Sequence, residues 1–355
     1  MEDLKEEFDV QEQRQLRRKS FLDKTSWDKA EVEPLQADAS FRRYYRLHGG
    51  LKPALLMEDP PDRSPVPPYV MVEPFITIAE HLGKIGLSTP NIYEQDLDNG
   101  LLLLEDFGDK TYTNLFSTGG DEKSLYELAI DVLVALHSHV DRNKIKLPKY
   151  SEELLLTETS LLMDWYYPAL TGKEATKDMK DSLNKVWLEL FKGLPEDQLT
   201  LVLRDYHVDN LMYLEGREGV KACGLLDFQD AVIGQFSYDV MSLIEDARRE
   251  LAPELQEHLY NRYVDAMPEL NEEEFAYSFR VLSAQRHAKV LGIFVRLSVR
   301  DGKERYLEFL PHVQNLFVSS LNDPVLKPLK DWFEEHNIDI IKPVSHFNKE
   351  EGFLI

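Results

Sequence analysis

Three polar residues in one stretch of the chain have the types and the spacing that phosphoryl transfer requires. Asn210 follows Asp205 by five residues, and Asp227 stands at the end of a later apolar run. One carboxylate and one amide oxygen leave the other coordination positions of Mg²⁺ to phosphate oxygens and water, so Asn210 and Asp227 are predicted metal ligands. A hydroxyl nucleophile must lose its proton as it attacks, and we predict that Asp205 accepts that proton.

The same residue types also have an ordinary structural explanation. Asp and Asn residues in loops mostly cap turns and helices, and each of the three residues alone would be interpreted in that way. Their joint pattern, Asp-x-x-x-x-Asn followed by an apolar run that ends in Asp227-Phe228, is much less expected by chance. The apolar runs beside these residues predict short strands, and the loops between the strands carry the chemistry.

This stretch resembles the catalytic loop and the metal-binding motif of the aminoglycoside phosphotransferase-like kinases, which share the protein-kinase architecture. Within that family, residues 203–212 and 226–231 are most similar to the bacterial anomeric kinases of N-acetylmuramate and N-acetylglucosamine. The likeness covers about residues 35–315 and includes the segments 39–46, 102–108, 291–297 and 300–303. It implies an ATP- and Mg²⁺-dependent enzyme that phosphorylates the anomeric (C1) hydroxyl of an amino sugar in cell-wall (peptidoglycan) sugar recycling.

The resemblance also implies where the nucleotide binds. The segment around Ser40 corresponds to the loop that covers the phosphates, and Glu105 and Phe107 belong to the hinge that meets adenine. The loop usually carries glycines, but here Arg42 and Arg43 follow Ser40, so guanidinium and backbone N–H groups are the expected phosphate ligands. Alternating arginines on a strand that faces solvent are the ordinary alternative.

One departure from the protein-kinase pattern concerns the phosphate-binding lysine. The predicted strand over residues 54–59 carries no lysine where protein kinases place theirs. Either Arg42 or Arg43 replaces the missing cation, or the chain is a pseudokinase that binds without catalysis. We favour the first interpretation, because the carboxylates and the amide of the catalytic segment are complete.

Acidic and aromatic residues in segment 157–167 are typical of a sugar site, because rings stack on sugar C–H surfaces while carboxylates bind hydroxyl groups. An amphipathic helix with core aromatics explains this segment equally well. We assign four residues to substrate binding: Glu158, Trp165, Arg204 and Gln229. Asp239 is expected to act indirectly, by orienting the backbone or Arg204. Another small-molecule kinase of the same fold, acting on an aminoglycoside or choline, is the alternative function.

Composition limits the class of protein and its partners. A chain of 355 residues, 43% of them hydrophobic, can bury a large core and form two lobes. The net charge of −23 argues against a nucleic-acid partner, because phosphate contacts need basic surface. No apolar run could span a bilayer and the N-terminus is acidic, so we expect a cytoplasmic protein. The resemblance implies a nucleotide and a small amino sugar as partners, and we expect a monomer. The single cysteine, Cys223, is expected to fill core space.

The predicted fold class is α+β, a two-lobed protein-kinase-like fold with a small antiparallel sheet in the N-lobe and a larger, mainly helical C-lobe. Residues 1–107 are assigned to the N-lobe, including an N-terminal helical extension and the hinge strand, and residues 108–355 to the C-lobe. Periodic apolar residues predict helices over 75–86, 124–137 and 283–296.

Overall fold

A computed structural model describes residues 2–35, 42–59 and 72–344, with side chains from residue 11 onward. The strands are β1 (Glu31–Pro34), β2 (Arg43–His48), β3 (Ala54–Glu58), β4 (Ile92–Asp96), β5 (Leu101–Glu105), β6 (Leu199–Val202), β7 (Leu211–Tyr213), β8 (Cys223–Leu225) and β9 (Val232–Gln235). The helices are α1 (Glu2–Leu22), α2 (Glu73–Lys84), α3 (Tyr112–Ser117), α4 (Glu122–Ser138), α5 (Glu152–Leu161), α6 (Tyr167–Thr171), α7 (Lys177–Phe191), α8 (Ser237–Ile244), α9 (Pro253–Ala266), α10 (Glu272–Asp301), α11 (Leu310–Ser320) and α12 (Lys327–Glu335). A π-helical turn, Leu162–Tyr166, joins α5 to α6.

These elements form two compact units. The first unit contains the described residues of Met1–Gly120 and Asp209–Asp230, and the second contains those of Asp121–Val208 and Ala231–Ile355. The α+β class predicted from the sequence is confirmed by the antiparallel sheet of the first unit and the many helices of the second. No helix within the described ranges is both long and apolar enough to cross a membrane.

An antiparallel sheet with the strand order β1-β2-β3-β5-β4 is the framework of the first unit. Side chains alternate between the two faces of a strand, so every second residue shares a face. On one face, Tyr45 and Leu56 belong to a buried cluster with Phe21 at the end of α1. Met57 of β3 and its partner Leu102 of β5 are directed to the opposite face and are also buried. Both faces of the central strands are therefore covered.

The β7–β8 hairpin also belongs to the first unit. The N–H group of Leu225 donates a hydrogen bond to the carbonyl of Ser88 at 2.8 Å, which fastens β8 to the segment after α2. The ring of Phe107 packs closely against Gly224. A Cβ atom at this position would lie only 2.7 Å from the ring, so a larger residue would not fit without a shift. The lobe boundary predicted at residue 107 stays a prediction, since chain segment 209–230 returns to the first unit.

Helix α10 is the centre of the second unit. Asn271 caps its first turn by accepting hydrogen bonds from the N–H groups of Glu273 and Glu274, and Gly302 ends it with a left-handed φ of +67°. Most of its residues from Phe275 to Leu297 are buried, as expected of a helix surrounded by others. It contacts α5, the π-helical turn, α8 and α11, and so gathers side chains from several parts of the sequence.

The predicted helices are present with shifts at their ends. Helix α2 begins before the predicted range 75–86, α4 encloses 124–137, and α10 extends well beyond 283–296 in both directions. Strands β1 and β4 were not predicted. All four residues of β1 are exposed, and β4 contains an irregularity in its pairing with β5. Strand β1 is thus short and without a buried face, and β4 lacks the alternation of apolar and polar residues by which strands are recognised.

Candidate active site

In the second unit, a tight turn after β6 presents the predicted general base. Arg204 has a φ of +69°, a left-handed conformation that residues other than glycine seldom adopt. Asp239, which is buried in α8, accepts hydrogen bonds from the backbone N–H groups of Leu203 at 2.6 Å and of Arg204 at 2.9 Å. These hydrogen bonds stabilise the turn and thereby orient Asp205, the next residue. The indirect role expected for Asp239 is confirmed.

Basic residues surround the carboxylate of Asp205. Its side chain is 43% exposed, and Nη1 of Arg286 lies 4.0 Å from its Oδ1 atom. Arg286 also donates a hydrogen bond to the carbonyl of Arg204 at 2.9 Å. Burial alone would raise the pKa of Asp205, but Lys289 and Arg286 hold that pKa below its ordinary value. The carboxylate is therefore ionised at neutral pH and can accept a proton.

Glu158, which we predicted to bind substrate, is occupied by contacts within the protein. Lys289 and Gln285 of α10 donate hydrogen bonds to its carboxylate at 2.8 and 2.9 Å. Arg204 and Tyr150 donate further hydrogen bonds to the same carboxylate. Burial would raise the pKa of Glu158, but Lys289 and Arg204 lower it below its ordinary value. The arrangement is that of a buried ion-pair network that positions Arg204 beside Asp205.

Trp165 lies in the π-helical turn and is only partly buried. Single π-helical turns within helices occur often at functional sites. Helix α10 closely approaches the start of this turn, since a Cβ atom at Gly292 would lie 2.3 Å from the carbonyl oxygen of Leu161. The turn contacts α10, and the ring of Trp165 is partly accessible.

Arg42 and Asp59 form an ion pair in the first unit. Nε of Arg42 donates a hydrogen bond to Oδ2 of Asp59 at 3.0 Å, and both side chains are largely buried. Tyr44 is close to this pair and to Asp227: burial raises the pKa of Tyr44 to about 12, Arg42 opposes the increase, and the two carboxylates add to it. Arg42 therefore stands on the sheet face that is electrostatically coupled to Asp227.

Arg43 stands on the opposite face, as strand alternation requires. Its Nη1 atom donates a hydrogen bond to the side chain of Gln11 in α1 at 2.7 Å. On this face Glu58 accepts hydrogen bonds from Arg18 of α1 at 2.8 Å and from Tyr45 at 3.2 Å. The two arginines assigned to phosphate binding are thus separated by the sheet. Ser40, the other predicted phosphate ligand, lies outside the described residues.

The predicted metal ligands meet at the open end of the β7–β8 hairpin. The N–H group of Leu226 donates a hydrogen bond to the carbonyl of Asn210 at 3.0 Å, so Asn210 and Asp227 lie on neighbouring strand ends. Asp227 is exposed and has a φ of +56°. Gln229 is buried and donates a hydrogen bond to Oδ1 of Asp227 at 2.6 Å. Gln229 therefore orients the carboxylate of Asp227, although we assigned it to substrate binding.

The donor set of this hairpin fits magnesium. An amide oxygen and an exposed carboxylate are hard ligands, and they leave positions for phosphate oxygens and water. Across the residues that the structure describes, no group of three or more His, Cys, Asp or Glu side chains could hold a metal on its own. A metal held by Asn210 and Asp227 would therefore depend on the nucleotide for its remaining ligands.

The predicted hinge residues Glu105 and Phe107 are both connected to Arg217, which the sequence analysis did not identify. The carboxylate of Glu105 accepts hydrogen bonds from Asn91 at 2.6 Å and from Arg217 at 2.5 Å. The guanidinium of Arg217 also lies 5.2 Å from the centre of the Phe107 ring. The side chain of Glu105 is thus occupied, and a nucleotide contact in this segment would use backbone atoms.

Sequence reasoning gave Asp59 and Lys289 no role and named no specific partner for Arg286. Arg286 and Lys289 are three residues apart in a mostly buried helix, and this spacing places both side chains on one face. Two basic residues at that spacing in an apolar helix were the sequence signal that could have identified them. Asp59 directly follows the buried strand β3, but nothing in the sequence indicates Arg42 as its partner.

The sheet of the first unit, the helical second unit and the segments that carry Asp205, Asn210 and Asp227 define a kinase-like phosphotransferase fold. Residues 31–272 match the phosphotransferase enzyme family, and the chain belongs to that family. It is therefore an enzyme that acts as a kinase. Both the family resemblance and the fold predicted from the sequence are confirmed.

Two curated relatives are named N-acetylmuramate/N-acetylglucosamine kinase. The protein from Caulobacter vibrioides is 32% identical over 352 residues, which cover 91% of this chain and 97% of that protein. The protein from Pseudomonas aeruginosa is 37% identical over 291 residues, which cover 79% and 81%. Among solved structures, a spectinomycin phosphotransferase in complex with ADP and spectinomycin has a TM-score of 0.57 at 13% identity and covers 89% of this chain and 98% of its own.

Proposed function

We propose that this kinase transfers the γ-phosphoryl group of ATP, with Mg²⁺, to the anomeric hydroxyl of N-acetylmuramate, N-acetylglucosamine or both, as a cytoplasmic monomer in cell-wall sugar recycling. The observation that carries the proposal is the carboxylate of Asp205, which is ionised, partly exposed and fixed by Asp239 and Arg286. The names of the relatives that match most of the chain support the choice of substrate.

Asp205 acts on the attacking hydroxyl. A bond forms between the sugar oxygen and the γ-phosphorus, the bond from that phosphorus to the β,γ-bridging oxygen breaks, and ADP leaves. The proton of the hydroxyl passes to Asp205, whose low pKa keeps the carboxylate ready to accept it. The anomeric hydroxyl is the most acidic hydroxyl of a free sugar, so it is the easiest for a carboxylate to activate.

The first unit supplies the groups that hold the nucleotide. Asn210 and Asp227 would bind Mg²⁺, which when bound offsets negative charge on the triphosphate, and Gln229 keeps Asp227 in position. Arg42, fixed by Asp59, takes the place of the missing lysine. Because Arg43 is directed to α1, Arg42 binds phosphate and Arg43 does not.

The second unit supplies the sugar site. Trp165 offers an accessible ring for the C–H surface of the sugar. Arg204 and Glu158 act together, because the ion pair with Glu158 fixes the guanidinium that precedes Asp205 in the chain. Glu158 thus serves the site by positioning Arg204.

A coupled assay of ADP formation tests the proposal. The protein is incubated with Mg-ATP and, separately, with N-acetylmuramate, N-acetylglucosamine, an aminoglycoside and choline. We expect turnover with the two amino sugars, and at least a roughly hundred-fold lower kcat for Asp205→Asn, which keeps the shape of the side chain but loses most of its basicity. Turnover of the aminoglycoside or choline alone would overturn the substrate assignment, and an Asp205→Asn variant of normal kcat would overturn the role of Asp205.

A further inference from the structure

Arg296, in the second half of α10, is a partly buried cation for which the described residues provide no hydrogen bond or ion pair. Its Nε atom is buried and has no hydrogen-bond partner in that part of the chain. Burial and the neighbouring Arg300 lower the pKa of Arg296, and Asp301 opposes this decrease only in part. A partly desolvated guanidinium of this kind is stabilised by a bound anion, and a carboxylate fits its planar fork best.

Helical geometry places Arg296 on the same side of α10 as the residues near Asp205. Arg286, Lys289, Ile293 and Arg296 follow one another at intervals of three or four residues, so they form a continuous row along the helix. Arg286 and Lys289 contact Asp205 and Glu158 at one end of the row. Arg296 stands at the other end, roughly 15 Å farther along the helix axis than Arg286.

The contacts between α5 and α10 also bring Trp165 to the level of Arg296. Leu155 contacts Gln285, and Glu158 contacts Lys289. Leu161 meets Gly292 one turn farther on. Trp165 and Arg296 each follow this contact by four residues, and the π-helical turn that contains Trp165 contacts α10. The segments that carry the accessible ring and the guanidinium therefore run beside each other, beyond the end of the row that reaches Asp205.

We propose that Arg296 binds the carboxylate of an acidic amino sugar, and is therefore the residue that distinguishes N-acetylmuramate from N-acetylglucosamine. The inference rests on the proposed function. The sugar ring lies on Trp165 and its anomeric hydroxyl points toward Asp205, while the lactyl carboxylate, which N-acetylglucosamine lacks, reaches Arg296. An acidic sugar needs such a local cation because the chain as a whole has a net charge of −23.

The test compares KM values for the two sugars in wild-type protein and in Arg296→Gln. Loss of one charge-assisted contact should raise KM for N-acetylmuramate roughly ten-fold to a hundred-fold, and leave KM for N-acetylglucosamine and for ATP within about two-fold. Arg296→Lys keeps the charge but loses the planar fork, so it should give an intermediate KM. Arg262→Gln is the matched control, because it removes an arginine of the same unit that is paired with Asp131.

A second comparison uses wild-type protein and does not depend on the folding of any variant. N-acetylmuramate methylated at its carboxylate should bind like N-acetylglucosamine if the charge of the carboxylate is recognised. Equal KM changes for both sugars in Arg296→Gln, no change in either, or an ester that binds as well as the acid would overturn the assignment to Arg296. A wild-type protein that phosphorylates neither sugar would instead overturn the proposed function, so the two failures are distinguishable.

Discussion

The guanidinium of Arg42 lies 3.0 Å from the carboxylate of Asp59, and the two side chains are 10% and 1% exposed. This ion pair fixes Arg42 on the sheet face that carries Tyr44 and is electrostatically coupled to Asp227. The next residue, Arg43, is directed to α1 by the alternation of the strand. Neighbouring arginines in the sequence therefore have different environments, and their substitution should have different consequences.

Replacing Arg42 with Met should weaken the use of ATP while keeping most of the apolar stem of the side chain. We expect KM for ATP to rise, or kcat to fall, by about ten-fold to a hundred-fold, because one charge-assisted contact to phosphate is worth about 1.5–3 kcal/mol. Arg43→Met, the matched variant on the other face, should change KM for ATP far less. Steady-state kinetics with varied ATP give KM and kcat for both variants. Equal effects of the two substitutions would contradict the assignment to Arg42.

Replacing Glu158 with Gln should destabilise the fold. The substitution removes the charge that Arg204 and Lys289 share, and a buried cation without its partner is costly. We expect a loss of about 3–5 kcal/mol in the free energy of unfolding, measured by urea denaturation. A variant of normal stability with a raised KM for the sugar alone would show that Glu158 contacts substrate after all.

Glu245 should make the stability of the protein depend on pH. Burial raises its pKa to about 7, while a hydrogen bond from Ser283 opposes the increase. Between its ordinary pKa and about 7, the folded protein therefore holds a proton that the unfolded chain has released. The stabilising contribution of Glu245 is therefore present below its ordinary pKa and is lost as the pH rises to about 7.

Glu245→Gln removes this titration and offers a direct check. The free energy of unfolding of the variant, relative to wild type, should increase between pH 5 and pH 8 by at most about 3 kcal/mol. Asp239, whose pKa burial also raises to about 7, is present in both proteins and cancels in the comparison. Parallel stability profiles for the two proteins would mean that Glu245 is already ionised in the folded state at low pH.

The roles of Asp205, Asn210 and Asp227 stay predictions, and they could be made because each depends on residue type and on local spacing. Their neighbours could not be assigned in this way. Glu158 is separated in sequence from Arg204 by 46 residues and from Lys289 by 131, so its commitment to an internal network appears only in the folded chain.

The different environments of Arg42 and Arg43 could not be predicted from the sequence for a similar reason. Strand alternation predicts that the two side chains diverge, but it does not say which face α1 covers. That choice depends on contacts of Gln11 and Arg18 with the sheet. Trp165 was recognised as a candidate from its residue type, whereas the position of Arg296 relative to Trp165 depends on the contacts that align α5 with α10.

The position of the new phosphate tests the central claim most directly. The product from N-acetylglucosamine is examined by phosphorus–proton coupling in NMR spectra, and the methyl glycoside of the same sugar is tried as a substrate. We predict coupling of phosphorus to the anomeric proton and no turnover of the methyl glycoside, which keeps every other hydroxyl but lacks the nucleophile. A product phosphorylated at the 6-hydroxyl, or efficient turnover of the methyl glycoside, would contradict transfer to the anomeric oxygen.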